Sequence, residues 1–276
     1  MKYKAIVLDL DGTLTNNKKE ITPLTKEALM SAQRDGMRVI LASGRPTYGI
    51  RPVADALGIG SYDGYVMAYN GGCVTRWADK TIIFNQTLDT DLVPVLYNAA
   101  KNAPHPFNIL TYQGEDIAAT DISDEYVRHE AFINKMPLVQ YDDFPNQVQP
   151  PINKCLIVGA PTPLAQLEKE LAVALQGRCG VYRSADFFLE CVPCGIDKAA
   201  SLARLIKELG LKREETIAVG DGYNDLSMIE YAGLGVAMAN AASEVKAKAD
   251  FVTLSNEEDG VAHVLKTFCH LRNAIL

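Results

Sequence analysis

The sequence predicts an α/β protein with a doubly wound, mainly parallel sheet covered by helices on both faces, into which a smaller α+β segment is inserted. Three observations carry this prediction. Short apolar runs alternate with helical patterns towards both ends of the chain, which is the signature of parallel strands joined by crossover helices. The stretch between about residues 85 and 190 departs from that style. Two acids, Asp9 and Asp11, follow the first apolar run, where a buried strand ends and Gly12 opens a turn.

Residues 3–8 form the first expected strand. Residues 22–34 follow as a helix, with Pro23 near its start and Gly36 just past its end, where each residue is best tolerated. Residues 38–42 are the second strand, followed by the turn Ser43-Gly44-Arg45 and a helix towards Leu57. Residues 65–69 are the third, broken by Asn70-Gly71-Gly72. The far end repeats the pattern, with helices expected at 199–209, 225–231, 243–248 and from about 259, and strands at 216–219, 234–238 and 251–252. In the middle, helices at 90–102, 123–134 and 163–175 alternate with short strand candidates at 108–112, 116–119, 154–158, 181–183 and 187–191. Residues 141–151, with three prolines, suggest a loop. The hairpin-like pairs imply a mixed or antiparallel sheet with helices on one face. Residues 1–84 and 191–276 are therefore expected to form one domain and residues 85–190 a second, inserted one.

A chain of 276 residues can hold one large or two modest cores. Its 48% apolar and 22% charged content is that of an ordinary globule. A net charge of -7, with no clustered Lys/Arg, argues against a nucleic-acid partner. The apolar run after Met1-Lys2-Tyr3-Lys4 is too short for a secretory segment, and no stretch approaches the roughly 18 apolar residues of a membrane span. A cytoplasmic protein with no membrane partner is the expectation. Among six cysteines, Cys191-Val192-Pro193-Cys194 is a C-x-x-C, but no second pair or paired histidines follow at metal spacing. Buried structural thiols are expected there.

Four loops carry the polar residues a phosphoryl-transfer site needs, and in a parallel sheet they emerge at the carboxyl ends of strands, where such folds bind ligands. The first is Asp9-Leu10-Asp11-Gly12-Thr13. Residues two apart on a strand share a face, so both acids point to one site. Asp9, ionised near neutrality, can attack phosphorus without a base; Asp11 can protonate the leaving oxygen if its neighbours raise its pKa. The second is Ser43-Gly44-Arg45, a hydroxyl and backbone N–H at a helix start suited to a phosphate oxygen. The third is Lys198, entering a helix after Asp197, a candidate to neutralise Asp9 and the phosphoryl group. The fourth is Gly220-Asp221-Gly222-Tyr223-Asn224-Asp225, whose acids suit Mg²⁺, with Asp225 ligating directly or orienting a water and Asn224 bonding phosphate. Four carboxylates facing a dianionic phosphate with one lysine call for a divalent cation, since unit charges about 4 Å apart interact by roughly 4 kcal/mol at an effective dielectric near 20.

In order and spacing these loops closely resemble the haloacid dehalogenase superfamily, specifically its Cof-type phosphatases, with a type IIB cap inserted between the second and third motifs of a Rossmann-like core. The resemblance covers essentially the whole chain. It implies Asp9 as nucleophile, Asp11 as acid/base and Lys198 as the catalytic lysine. It further implies that the Asp9 and Asp221 side chains and the Asp11 backbone carbonyl hold Mg²⁺. Phosphate would be held by the Leu10 and Gly44 backbone N–H groups, Ser43, Lys198 and Asn224. An acid at position 11 separates phosphatases from dehalogenases. The implied activity is hydrolysis of small phosphorylated metabolites, sugar phosphates or similar, through an aspartyl-phosphate. The alternatives are a phosphomutase or phosphotransferase, in which a sugar hydroxyl replaces water, and a non-catalytic phospho-ligand-binding protein of the same fold. The physiological substrate and the oligomeric state are left open.

Other polar residues lie outside these loops. His105, His129, His263 and His270 are expected to be structural or surface groups, Trp77 a packing residue in a hairpin, and Asn70 a turn residue or a substrate contact. Arg183, Asp186 and Glu190 are candidates for reading the leaving group.

Overall fold

The computed structural model describes residues 2–269. In chain order the elements are β1 (Ala5–Leu8), α1 (Pro23–Arg34), β2 (Arg38–Ala42), α2 (Thr47–Ala56), β3 (Tyr65–Ala68), β4 (Cys73–Arg76) and β5 (Ile82–Asn85). Next come α3 (Leu92–Lys101), β6 (Asn108–Gln113), β7 (Asp116–Ala119), α4 (Glu125–Asn134), β8 (Leu138–Gln140), α5 (Phe144–Gln147), β9 (Cys155–Val158), α6 (Pro161–Ala174), β10 (Cys179–Ala185) and β11 (Phe188–Pro193). The chain finishes with α7 (Lys198–Glu208), β12 (Thr216–Gly220), α8 (Leu226–Tyr231), β13 (Leu234–Ala237), α9 (Ser243–Lys246), β14 (Phe251–Val252) and α10 (Gly260–Phe268). Two compact units result, one from Met1–Phe84 with Asp197–Leu276, the other from Asn85–Ile196. The return to the first unit falls at Asp197 because β11 stays paired with β10 as far as Pro193.

The first unit is built on an eight-stranded sheet of order β14-β13-β12-β1-β2-β3-β4-β5. All pairs from β14 to β3 are parallel; the β3/β4 hairpin is antiparallel. β1 is fully buried on both faces, as expected of a central parallel strand, and its residues divide between two cores. Ile6 and Leu8 pack with α1 and α10 residues such as Leu29 and Leu265; Ala5 and Val7 pack with Leu202 and Leu205 of α7. Thr22 caps α1, its hydroxyl accepting the Thr25 N–H at 3.2 Å, and Pro23 takes the first helical position as anticipated. The chain leaves β1 for β2 on one side and β12 leads to β13 on the other. The strand order therefore reverses beside β1, the place where α/β sheets open a ligand crevice.

The second unit is a six-stranded sheet of order β10-β11-β9-β6-β7-β8, antiparallel except for β7/β8. Helices α3, α5 and α6 cover one face through Leu92, Leu96, Phe144, Leu164 and Leu171, packed against Ile109, Ile157 and Leu189. Two details differ from the sequence expectation. Residues 141–151 contain one helical turn, α5, because Phe144 is drawn fully into this core. β8 was not anticipated: three residues, one half-buried and two exposed, give almost no periodic signal. Glu190 pairs with Lys154 at 3.3 Å and Arg183 with Glu168 at 2.8 Å, so both are engaged inside this unit. Cys191 is fully buried opposite Cys155, and burial pushes its thiol well above the ordinary range, which fits a structural thiol; Cys194 is exposed. Among the described residues, no helix is long and apolar enough to cross a membrane.

Candidate active site

The register of the first sheet gathers the motif loops. Leu8 is level with Val219 on one side and Leu41 on the other. Asp9, Ser43 and Asp221 therefore leave their strands at the same edge. The Asp9 N–H still donates to the Val219 carbonyl at 3.1 Å, which holds the acid in line with the strand. Asp9 is buried, and so are Ser43, Lys198 and Asp225.

Lys198 ties this edge together. Its Nζ donates to Asp9 Oδ1 at 2.7 Å, to Asp225 Oδ1 at 2.6 Å and to the Ala42 carbonyl at 3.0 Å. Those three partners match the three N–H donors of an ammonium. The lysine sits at the start of α7, where Asp197 caps the helix by accepting the Ala200 N–H, so the cap fixes where the side chain begins. Asp225 is equally committed: its Oδ2 accepts the N–H groups of Asp221 at 3.0 Å and Gly222 at 2.9 Å. One carboxylate thus shapes the loop and holds the lysine.

Asp221 faces Gly12 across the sheet edge. Thr13 donates its hydroxyl to Asp221 Oδ1 at 2.6 Å. Gly12 has φ +86°, and a Cβ there would stand 2.4 Å from Asp221 Oδ2, so only glycine serves both the turn and the approach.

Carboxylate oxygens of Asp9, Asp221 and Asp225 lie within 4.8 Å of one another. Three acids against one lysine leave excess negative charge in a poorly solvated place. Burial and the Asp225 charge push Asp9 up to about 8, against the pull of Lys198. Burial likewise pushes Asp221 up to about 6, with Asp225 adding to it and Thr13 opposing. Burial alone would lower the Lys198 ammonium, but the charges of Asp225 and Asp9 outweigh it and hold it above its ordinary value. A cluster of hard oxygens in excess over the cations beside it fits a divalent cation of the Mg²⁺ type.

Asp11 stands apart from this cluster. Arg45 grips it with Nε to Oδ2 at 2.7 Å and Nη2 to Oδ1 at 2.6 Å, and Lys19 reaches Oδ1 at 2.7 Å. Burial raises Asp11, but the hydrogen bonds and charges of Arg45 and Lys19 outweigh it, and the carboxyl is held below its ordinary value. This is opposite to the upward shift anticipated from a neighbouring carboxylate, because the nearest groups are cations.

The remaining motif residues line the same edge. The Ser43 hydroxyl accepts the Arg45 N–H at 3.2 Å, and the Leu10 carbonyl accepts from Thr15 at 2.9 Å. Gly44 approaches the Asn70 amide: an added Cβ would meet it at 3.4 Å. Asn224 donates to Asn70 Oδ1 at 3.0 Å. Sequence reasoning gave no role to Arg45 or Lys19, nor to Asn240 and Asn256. Asn240 donates to the Gly12 carbonyl at 2.8 Å and accepts the Asn256 N–H, while Asn256 donates to the Thr15 carbonyl at 3.0 Å. The adjacency of Arg45 to Ser43-Gly44 was the available signal for Arg45; the two asparagines carry none. His129 packs against Phe187 and Phe188 within the second unit, and His263 bonds Thr253. Trp77 is buried and donates to Asp55 at 2.8 Å, a packing role; His270 lies outside the described residues.

Comparison with known proteins agrees with this geometry. Residues 6–265 match the model of a family described as haloacid dehalogenase-like hydrolase. A haloacid dehalogenase-like hydrolase from Bacteroides thetaiotaomicron superposes with a TM-score of 0.94 at 50% identity, covering 96% of this chain and 99% of the other. A sugar phosphatase of HAD subclass IIB superposes with a TM-score of 0.79 at 26% identity, covering 96% and 98%. Phosphatase YwpJ of Bacillus subtilis (strain 168) is 30% identical over 289 aligned positions, covering 95% of this chain and 99% of its own. The parallel core sheet, the second α/β segment and a family match across nearly the whole sequence lead to one statement: the chain belongs to the haloacid dehalogenase-like hydrolases, in their Cof-type subclass IIB.

Proposed function

We propose that this protein is a Mg²⁺-dependent phosphatase that hydrolyses small phosphorylated metabolites, sugar phosphates or similar, through an aspartyl-phosphate on Asp9. The observation that carries the reading is the Lys198 ammonium shared between Asp9 and Asp225, with Asp221 beside them. That arrangement aims one Asp9 oxygen, and the Lys198 ammonium beside it favours the ionised form a nucleophile needs against the burial and the Asp225 charge that oppose it. The names of YwpJ and of the subclass IIB sugar phosphatase support the same class of ester.

In this reading Asp9 attacks phosphorus and Asp11 protonates the leaving oxygen. Asp11 then takes a proton from the water that hydrolyses the acyl phosphate. The ionised Asp11 held by Arg45 and Lys19 is the form required for that second step, while the first step requires Asp11 to carry a proton, which in this reading it keeps from the water split in the preceding turnover. Ser43, the Leu10 and Gly44 N–H groups, Lys198 and Asn224 receive the phosphate. The Asp9 and Asp221 carboxylates and the Asp11 carbonyl would hold Mg²⁺, with Asp225 orienting its neighbours. When bound, the cation offsets the negative charge gathered by the carboxylates and the phosphoryl group. Asn85–Ile196 is the cap, and the six free cysteines support action in a reducing, cytoplasmic compartment.

The test is release of inorganic phosphate from para-nitrophenyl phosphate and a panel of sugar phosphates, with Mg²⁺ and with EDTA. The expected result is turnover with Mg²⁺, none with EDTA, and a loss of at least about 10³-fold in Asp9→Asn with the fold intact. Near wild-type turnover by Asp9→Asn would sink the mechanism, and transfer to a second sugar without free phosphate would make the protein a phosphotransferase.

A further inference from the structure

We propose that Lys19 recognises a second anionic group on the substrate, so that the preferred esters are small phosphomonoesters whose leaving group also carries a carboxylate or phosphate. The inference rests on the phosphatase reading, in which the leaving oxygen comes to Asp11.

Asp11 has two cationic partners where one suffices. Arg45 commits Nε and Nη2 to Asp11 and Nη1 to the Gly49 carbonyl at 3.3 Å, and its side chain is only 10% exposed. Arg45 alone pairs the carboxylate. Lys19 brings a surplus positive charge to the solvent side of Asp11, with its side chain 42% exposed. An ammonium has three N–H donors and the bond to Asp11 uses one. The rest of the site is acidic, so this is a local reversal of sign at the place where the leaving group departs.

The backbone holds Lys19 there at a conformational cost. Its φ is +62°, in the left-handed region that long side chains seldom occupy. A built turn enforces it. Asn16 Oδ1 accepts the N–H groups of Lys18 and Glu20, both at 3.0 Å, and the Asn16 and Glu20 backbones close the turn at 2.9 Å. Lys19 N–H donates to the Asn16 carbonyl at 2.9 Å, and Asn17 N–H is tied to Glu257 at 2.6 Å. Glycine or asparagine would take this turn more readily. A lysine held in such a conformation with its ammonium on Asp11 points to use of the charge, and the complement of a surplus cation beside a leaving group is an anion on that group.

Two matched substrate pairs test this, each differing by a carboxylate in place of a hydroxymethyl group: 3-phosphoglycerate against glycerol 3-phosphate, and 6-phosphogluconate against glucitol 6-phosphate. Wild-type enzyme with Mg²⁺ is expected to favour the carboxylate member of at least one pair by about fivefold in kcat/KM. Lys19→Met is expected to bring that ratio close to one, and Lys19→Arg to retain it. Any general effect of Lys19 on Asp11 acts on both members of a pair and cancels in the ratio. Ratios near one in both wild-type pairs, or an equal loss on both members in Lys19→Met, overturn the inference while leaving the phosphatase reading intact. A folded, Mg²⁺-supplied protein that hydrolyses none of these esters, para-nitrophenyl phosphate included, overturns the phosphatase reading and this inference with it.

Discussion

Arg45 and Asp11 form a two-pronged ion pair, Nε to Oδ2 at 2.7 Å and Nη2 to Oδ1 at 2.6 Å, with the guanidinium largely withdrawn from solvent. Such a fork fixes both the ionisation and the orientation of a carboxylate. Replacing Arg45 by methionine leaves Asp11 with Lys19 alone. Its pKa is then expected to rise, and the acidic limb of the kcat profile to move to higher pH by about one unit. Arg45→Lys keeps the charge but not the fork, so its limb should move less while kcat still falls. An acidic limb unmoved in Arg45→Met would separate Arg45 from the ionisation of Asp11.

The acid cluster makes stability depend on pH in a defined sense. Asp9, pushed up to about 8, and Asp221, pushed up to about 6, hold protons in the folded state that the unfolded chain releases near its ordinary value of 3.8. As far as these groups act, stability without metal is therefore fullest at and below their unfolded value of 3.8, and is lost as pH rises from there through their folded values. Asp11, shifted downward, stays ionised across that window. Thermal unfolding in EDTA should show Tm lower at pH 8 than at pH 5.5 by about 2–6 °C, and Mg²⁺ should raise Tm more at pH 8. A Tm that rises with pH in EDTA, or a Mg²⁺ effect larger at the lower pH, would contradict the excess of negative charge.

Gly12→Ala adds a single methyl group where φ is +86° and Asp221 Oδ2 is 2.4 Å away. The backbone strain should cost about 1–3 kcal/mol. Because the displaced atom belongs to Asp221, affinity for Mg²⁺ should fall along with stability. Metal titration followed by activity checks this; a variant with wild-type Mg²⁺ dependence and reduced Tm would limit Gly12 to the turn.

Lys198→Ala leaves Asp9 and Asp225 buried without their shared ammonium. Removing one partner of a buried charge pair costs about 3–5 kcal/mol. The loss should be smaller at low pH, where the stranded acids can take up protons. Denaturant unfolding at pH 5.5 and 8 measures it, and an equal loss at both would show that the ammonium acts by packing rather than by charge.

The parallel sheet was legible because its strands are short apolar runs bounded by turn residues, and the boundaries of β2 were anticipated to the residue. The loops were legible for the same reason: once β1 and β12 lie side by side, Asp9 and Asp221 share an edge. What escaped were relationships made by side chains far apart in the chain. Arg45 is 34 residues from Asp11, and nothing local says that its guanidinium turns back. Asn240 reaches Gly12 across 228 residues as an ordinary exposed amide. The direction of the Asp11 shift was misjudged because the neighbour assumed for it was an acid, and the neighbours that fold onto it are basic.

β1 leaves the ribosome long before β12, its partner on one side. Asp9 meets Lys198 only after 189 further residues have been made. Until then a growing chain carries this acid without its counter-charge and with one strand edge open. The open edge is a point of exposure to unwanted pairing during synthesis, and folding of this unit is completed from its C-terminal end. Fragments ending before Asp197 should therefore be wholly inactive rather than partly active, whatever share of the first unit they contain.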